Sequence, residues 1–244
     1  MHWADTAILL SIRKHGENSA VIHAFTEQHG VHAGVVKGIH SKTMRGCAQP
    51  GNVVEAQWNA RLPEQLGLYK LELKHATAAL AMQDAQALML LSSACSLLDM
   101  ALPERHPYPK LYQQFHGFVL QLVEGAPLAE YVRLELALLA ETGFGLDLSR
   151  CAGTGTTEDL IYVSPKTGRA VCREAGEPYK DKLFRLPEFL LHPNTPPQGG
   201  REILDGLAIT GYFLEHWLLA ATGRKMPASR NRLRAGLYKP AETL

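Results

Sequence analysis

The chain has 244 residues, 46% hydrophobic and 20% charged, with 25 basic and 24 acidic side chains and a net charge of +1. That composition fits one large or two small globular domains with a sizeable core, and it excludes a chain that needs disulfide staples to fold. It also excludes an overall basic excess of the kind that announces a nucleic-acid binder, so any such signal must come from how the charge is distributed.

The first 75 residues read as strands. Val54, Ala56 and Trp58 alternate with Glu55, Gln57 and Asn59, and Tyr69, Leu71 and Leu73 alternate with Lys70, Glu72 and Lys74. Period-two alternation turns one set inward and the other to water. Ala7–Ile12, Ala20–Thr26 and Val31–Lys37 are three further candidate strands, with Gly16, Gly30, Gly38 and Pro50–Gly51 between them as turns. Such short strands suit a small closed barrel of the oligonucleotide-binding (OB) kind, although a small open sheet or an SH3-like barrel has the same pattern.

Near residue 80 the character changes. Asp84–Leu102 is rich in Ala, Leu, Met and Ser, lacks Gly and Pro, and is predicted helical with Asp84 as its cap. Tyr108–Val123 and Leu128–Glu141 start beside prolines and stop before glycines. The second of these is apolar on most sides and is expected at the centre of a bundle. Gly143–Gly200 is irregular apart from the strand-like Leu160–Val163, and Glu202–Leu219 is helical again. The predicted class is α+β: an OB-type DNA-binding domain over 1–79 and a helical domain over 80–244, with a ribbon-like insertion at about 148–185.

No G-x-x-x-x-G-K phosphate loop and no G-x-S-x-G elbow occurs. His29 and His32 lack two further ligands for a metal and are expected as solvated turn residues. Cys151 and Cys172 flank a hairpin-like pattern over Leu160–Val171. The second position of each C-x-x-C knuckle is Thr154 or Ala175, so no bound zinc and no other cofactor is expected, and the two cysteines read as small buried side chains. With Cys47 and Cys95 the four cysteines are widely spaced, which points to a reduced, cytoplasmic protein. No apolar stretch reaches membrane-spanning length, and the first apolar run, Ala7–Leu10, is too short for a secretory leader.

The charge is unevenly placed. Asp84–Asp147 holds eight acids and three bases, whereas Arg224–Lys239 holds six bases and no acid. Lys37–Gly46 carries Lys37, Lys42 and Arg45 and no acid, and reads as a mobile cationic loop able to follow a phosphate backbone. Arg230, Arg232 and Arg234 alternate with neutral residues near the end of the chain and suit phosphate contacts. Trp3, Trp58 and Tyr69 are candidate stacking platforms, but Trp58 and Tyr69 sit on apolar strand faces, where core packing is the expectation. Arg133, the one base of an apolar helix, either pairs with Glu130 three residues earlier or reads an acidic peptide end beside an apolar groove.

In order and spacing these pieces resemble the RecO family over about residues 5–235. The resemblance lies in the opening Ala7-Ile8-Leu9-Leu10 strand, in Val21–Gly30, and in Val35-Val36-Lys37-Gly38 with its basic loop. It continues through Tyr131–Gly143 with its arginine, Cys151, Val163-Ser164-Pro165, Gly168 through Cys172, and Met226–Arg230. The resemblance implies a non-enzymatic recombination mediator in DNA repair. Such a protein binds single- and double-stranded DNA, anneals complementary strands, associates with RecR, contacts the acidic C-terminal tail of single-strand-binding protein and helps load RecA. It further implies DNA contacts by Lys37, Lys42 and Arg45, tail contact through Arg133, and a place for Arg230 in a closing Ser-Arg element. Thr154 and Ala175 stand where zinc-binding members have cysteine. Two rivals predict different behaviour. A nuclease needs clustered carboxylates, and the nearest pair here is Glu158–Asp159. A protein-only adaptor would bind a partner's tail without touching DNA.

Overall fold

The computed structural model describes residues 1–62, 64–192 and 194–237. The chain forms two compact units, Met1–Pro127 and the residues from Leu128 onward. The class is α+β, as the strand and helix patterns predict.

The first unit is built on β1 (His2–Lys14), β2 (Ser19–Thr26) and β3 (Gly30–Lys37). These are followed by a short helix, α1 (Lys42–Cys47), then β4 (Val53–Asn59) and β5 (Leu68–His75). The strands close into a barrel in the order β1-β2-β3-β5-β4. All pairs are antiparallel except β3 with β5, where Val35 and Val36 run parallel to Leu68 and Tyr69. The open-sheet alternative is thereby settled in favour of a closed barrel. Long β1 serves two neighbours, pairing with β4 over His2–Ile8 and with β2 over Ala7–Lys14, and the β2 pairing carries a register shift between Leu9 and Ser11.

Alternate residues fill the barrel: Ala7, Leu9, Ile22, Ala24, Val36, Val54, Ala56, Trp58, Tyr69 and Leu71 form one buried cluster. Trp58 and Tyr69 are core residues, as their strand faces require. The indole is 2% exposed and donates its N–H to the Leu66 carbonyl at 3.1 Å. Gly34 makes room for these rings, since a Cβ there would lie 2.5 Å from the Tyr69 ring. Helices α2 (Thr77–Ala81), α3 (Ala85–Ala101) and α4 (Pro109–Gln121) belong to the same unit. Asp84 caps α3, accepting from the N–H of Gln86 at 2.7 Å and of Ala87 at 3.2 Å. Outward-facing Phe25 packs on Tyr112 and Phe115 of α4, and burying a side chain of that size contributes about 1.5–3 kcal/mol.

The second unit is centred on α5 (Leu128–Glu141), whose Tyr131, Val132, Leu134, Leu138 and Leu139 are buried. The irregular stretch contains β6 (Leu160–Val163), β7 (Ala170–Cys172), the single turn α6 (Arg173–Gly176), a 3-10 turn over Glu177–Lys182, β8 (Phe184–Arg185) and α7 (Glu188–Leu191). The three strands make a small sheet in the order β7-β6-β8. Then α8 (Gly200–Phe213) runs through a π-helical stretch, Leu214–Leu219, into α9 (Ala220–Thr222). Last comes α10 (Ala228–Leu237), which the sequence pattern misses altogether. No helix among the described residues is long and apolar enough to cross a membrane.

Candidate nucleic-acid interface

The basic segment of the barrel contains a helix, α1, where a loop was expected. Ser41 caps α1, its Oγ accepting from the Met44 N–H at 3.2 Å, and Asn52 Nδ2 donates to the carbonyls of Gly46 at 2.8 Å and Cys47 at 3.0 Å. Ile39 and Met44 lean on the barrel core and Cys47 is buried in it. That anchoring leaves Lys42 and Arg45, three residues apart on one helix, exposed together, with exposed Lys37 at the end of β3. None of the three forms a salt bridge among the described residues. Lys14 joins them. It pairs with Ala20 while Lys37 pairs with Ser19, so both lysines sit at the same end of the strands that flank β2. Sequence reading passed over Lys14, and the signal was a lysine closing the strand beside the Gly16 turn.

At the other end of β3, the rings of Trp3, His29, His32, Trp58 and Tyr69 gather. Trp3 stacks on His29 with centroids 4.2 Å apart and on Trp58 at 5.9 Å, while His32 meets the Trp58 edge at 4.6 Å. Solvated turn histidines were expected here. Instead His32 is buried and its pKa falls, because burial disfavours the imidazolium. A cavity of about 510 Å³ opens beside these rings, lined by His2, Trp3, His29, His32, Trp58 and Arg105.

The arginines near the end of the chain separate. Arg230 was expected at a phosphate, but it is 2% exposed and paired with Glu135 of α5, which is 1% exposed. Its Nε donates to Oε1 at 2.5 Å, and its Nη2 donates to Oε2 at 2.9 Å and to the Leu207 carbonyl at 3.0 Å. Thr210 Oγ1 donates to the same carboxylate at 2.5 Å. Burial disfavours the guanidinium, but the Glu135 carboxylate outweighs it and holds the Arg230 pKa above its ordinary value. The physical reason is helix formation. Ser229, Arg230 and Leu233 share the inward face of α10, whereas Arg232 and Arg234 are exposed, as are Arg224 and Lys225 ahead of the helix. Glu135 was the legible signal, an acid within the buried face defined by Tyr131, Val132, Leu138 and Leu139. Lys239, counted with this basic end, lies outside the described residues.

Arg133 pairs with Glu130, the plainer of its two expected readings. Its Nη2 also donates to the carbonyls of Phe189 and Thr195, each at 3.1 Å, and its guanidinium lies 5.5 Å from the Phe189 ring centroid. Among the described residues Glu158 and Asp159 form no cluster able to hold a metal. Asp159 receives Arg173 Nε at 2.9 Å and Nη2 at 3.2 Å.

Cys151 and Cys172 do meet. Cys151 Sγ accepts from the N–H of Cys172 at 3.2 Å and of Gly153 at 3.4 Å, and Thr154 Oγ1 lies 3.6 Å from Cys172 Sγ. Burial disfavours a thiolate, but the hydrogen bonds from Cys172, Thr154 and Gly153 outweigh it and bring the Cys151 pKa down to about 6. Among the described residues no group of three or more His, Cys, Asp or Glu could hold a metal ion.

The first unit is thus an OB-type barrel that exposes Lys14, Lys37, Lys42 and Arg45 at one strand end, and the second unit is built around helix α5. Comparison with known proteins shows the family to which the chain belongs. Residues 1–76 match the model "Recombination protein O N terminal" and residues 82–225 match "Recombination protein O C terminal". The chain is 48% identical over 245 aligned positions to DNA repair protein RecO of Rhodospirillum centenum, covering 100% of this chain and 97% of that one. It is 47% identical over 234 positions to DNA repair protein RecO of Bartonella quintana, covering 96% of each chain. The chain belongs to the RecO family and has a DNA-repair role.

Proposed function

We propose that this protein is a non-enzymatic recombination mediator that binds single- and double-stranded DNA through its barrel. The observation that carries this reading is the group formed by Lys37, Lys42 and Arg45, with Lys14, exposed and, among the described residues, without salt bridges at one end of an OB barrel. Phosphate contact rewards such charge whatever the base sequence, because each neutralised phosphate releases counterions. Arg232 and Arg234 supply a second contact. The barrel within residues 1–79 then acts as the DNA-binding domain, and the helical residues from 80 are divided between the barrel's own unit, which runs to Pro127, and the second unit. By lowering the repulsion between two strands, the cationic surfaces promote annealing. The family resemblance supports RecR, the tail of single-strand-binding protein and, indirectly, RecA as partners, and a cytoplasmic location.

The test is the anisotropy of a labelled single-stranded oligonucleotide across a salt series. Changing Lys37, Lys42 and Arg45 together to Ala is expected to weaken binding and to flatten the log–log salt slope by about 2, since each single-strand phosphate contact accounts for about 0.7. A wild type that binds no oligonucleotide at low salt overturns the reading and favours a protein-only adaptor. An unchanged triple variant moves the site to Arg232 and Arg234.

Arg133 reaches a partner's carboxylate by exchanging it for Glu130, its acidic partner. Glu130→Ala is therefore expected to tighten binding of an acidic, apolar-ended tail peptide, measured by calorimetry. Weaker or unchanged binding removes Arg133 from that role.

A further inference from the structure

We propose that Cys151 and Cys172 are a modification site, closing into a reversible intramolecular disulfide when the protein meets a peroxide. The Cys172 N–H resting on the Cys151 sulfur, Thr154 reaching both sulfurs, and an unlike pair of cysteines elsewhere in the chain point to it.

The geometry has three parts. The Cys172 N–H donates to Cys151 Sγ at 3.2 Å, so the second sulfur hangs three covalent bonds from an atom already touching the first. Thr154 then reaches both. Its Oγ1 lies 3.6 Å from Cys172 Sγ, and its hydroxyl hydrogen-bonds the Cys151 sulfur. Finally, the N–H groups of Gly153 and Cys172 converge on Cys151 Sγ as acceptor, an arrangement that favours the nucleophilic thiolate.

Cys95 is the contrast. Its thiol donates to the Leu9 carbonyl at 3.8 Å, and burial pushes its pKa up to about 12. Burial raises Cys47 as well. One pair of cysteines is thus held for reaction and the other is held protonated. Both sulfurs of the reactive pair are covered, with Cys151 1% and Cys172 4% exposed. The turn Ala152–Gly155 that follows Cys151 and hydrogen-bonds its sulfur through Gly153 is exposed throughout, and a peroxide is little larger than water.

The chemistry balances in two steps. The Cys151 thiolate attacks one oxygen of hydrogen peroxide. An S–O bond forms, the O–O bond breaks, and hydroxide leaves and takes up a proton, giving a sulfenic acid and water. The Cys172 sulfur then attacks the Cys151 sulfur. The S–S bond forms, the S–O bond breaks, and hydroxide departs with the Cys172 proton as a second water. Two thiols are oxidised by two electrons and one peroxide is reduced. A dithiol reductant reverses the reaction by thiol–disulfide exchange.

The full chain would be treated with hydrogen peroxide under native conditions, quenched, alkylated after denaturation, and mapped by peptide mass spectrometry. The expected result is one linked peptide pair joining Cys151 to Cys172, lighter by two hydrogen atoms and released by dithiothreitol, with Cys47 and Cys95 alkylated. In Cys172→Ser the resolving sulfur is gone, and Cys151 is expected to stop at sulfenic acid, trapped by dimedone, or to continue to sulfinic acid. The wild-type map decides alone if that variant does not fold. Full alkylation of all four cysteines after peroxide, linkage only between chains, or over-oxidation of wild-type Cys151 without a link to Cys172 overturns the proposal.

Discussion

The two basic segments, α1 and α10, look alike as sequence and differ as structure. Each is short, carries arginine, contains no acid and forms a helix. In α1 the inward positions go to Met44 and Cys47, so Lys42 and Arg45 are left outside. In α10 an inward position goes to Arg230, whose charge is matched inside the protein by Glu135. Charge counted along a chain is therefore a poor guide to the field outside it. What decides is whether a buried acid has claimed the base.

Breaking that pair should separate the two helices most sharply. Arg230→Ala leaves Glu135 and Thr210 in the interior without their cation, and removing one partner of a buried pair costs about 3–5 kcal/mol. Chemical denaturation should show a loss of that size, while Glu135→Leu with Arg230→Met recovers most of it. The same measurement on the Lys37/Lys42/Arg45 triple variant should change stability by less than about 0.5 kcal/mol per site, because these side chains face water. If Arg230→Ala is as stable as wild type, the contrast between the helices is wrong.

Much of this was legible beforehand, and the failures share a cause. The five strands and the helices at Ala85–Ala101, Pro109–Gln121 and Leu128–Glu141 follow from periodicity and stop signals, because each buries an apolar face long enough to register. Helix α1 was hidden because it is only six residues long and is held by Ser41 and Asn52. Helix α10 was hidden because its inward face is Ser229, Arg230 and Leu233. Periodicity cannot see a face whose burial depends on a partner ninety-five residues away. The meeting of Cys151, Thr154 and Cys172 was missed for the complementary reason. Thr154 was weighed as an absent ligand, whereas its hydroxyl is a present hydrogen-bond donor.

A smaller effect tests whether order in α1 matters to its exposed bases. Ser41→Ala removes the cap that receives the Met44 N–H, and such a loss costs about 0.5–2 kcal/mol of helix stability. Hydrogen exchange should rise at Met44 and Arg45 with little change in global stability. Oligonucleotide affinity should fall less than in the triple variant, since the charges remain. Affinity as weak as in the triple variant would mean that helix geometry, more than charge, makes the contact.

The smallest effect comes from a third ion pair, placed between the extremes of α1 and α10. His23 of β2 and Asp99 of α3 meet at 2.5 Å and are partly buried, with Arg13 3.4 Å from Asp99 and Glu104 3.9 Å from His23. Unlike Arg230, His23 can lose its charge near neutral pH. Its hydrogen bond to Asp99 raises its pKa despite the opposing effect of burial. Burial opposes the Asp99 carboxylate, but His23 outweighs it and lowers the Asp99 pKa. A raised histidine stabilises the fold fully below its unfolded value, about 6.5, and that contribution is lost as pH rises through the folded value. A lowered aspartate contributes above its unfolded value, about 3.9, and that contribution is lost as pH falls through the folded one. Stability of the first unit should therefore decline gently above about pH 6.5. His23→Gln should flatten that decline, whereas Arg230→Ala should lower stability equally at every pH in the range. A decline that persists in His23→Gln would place the titrating group elsewhere and leave the His23–Asp99 pair as geometry without linkage.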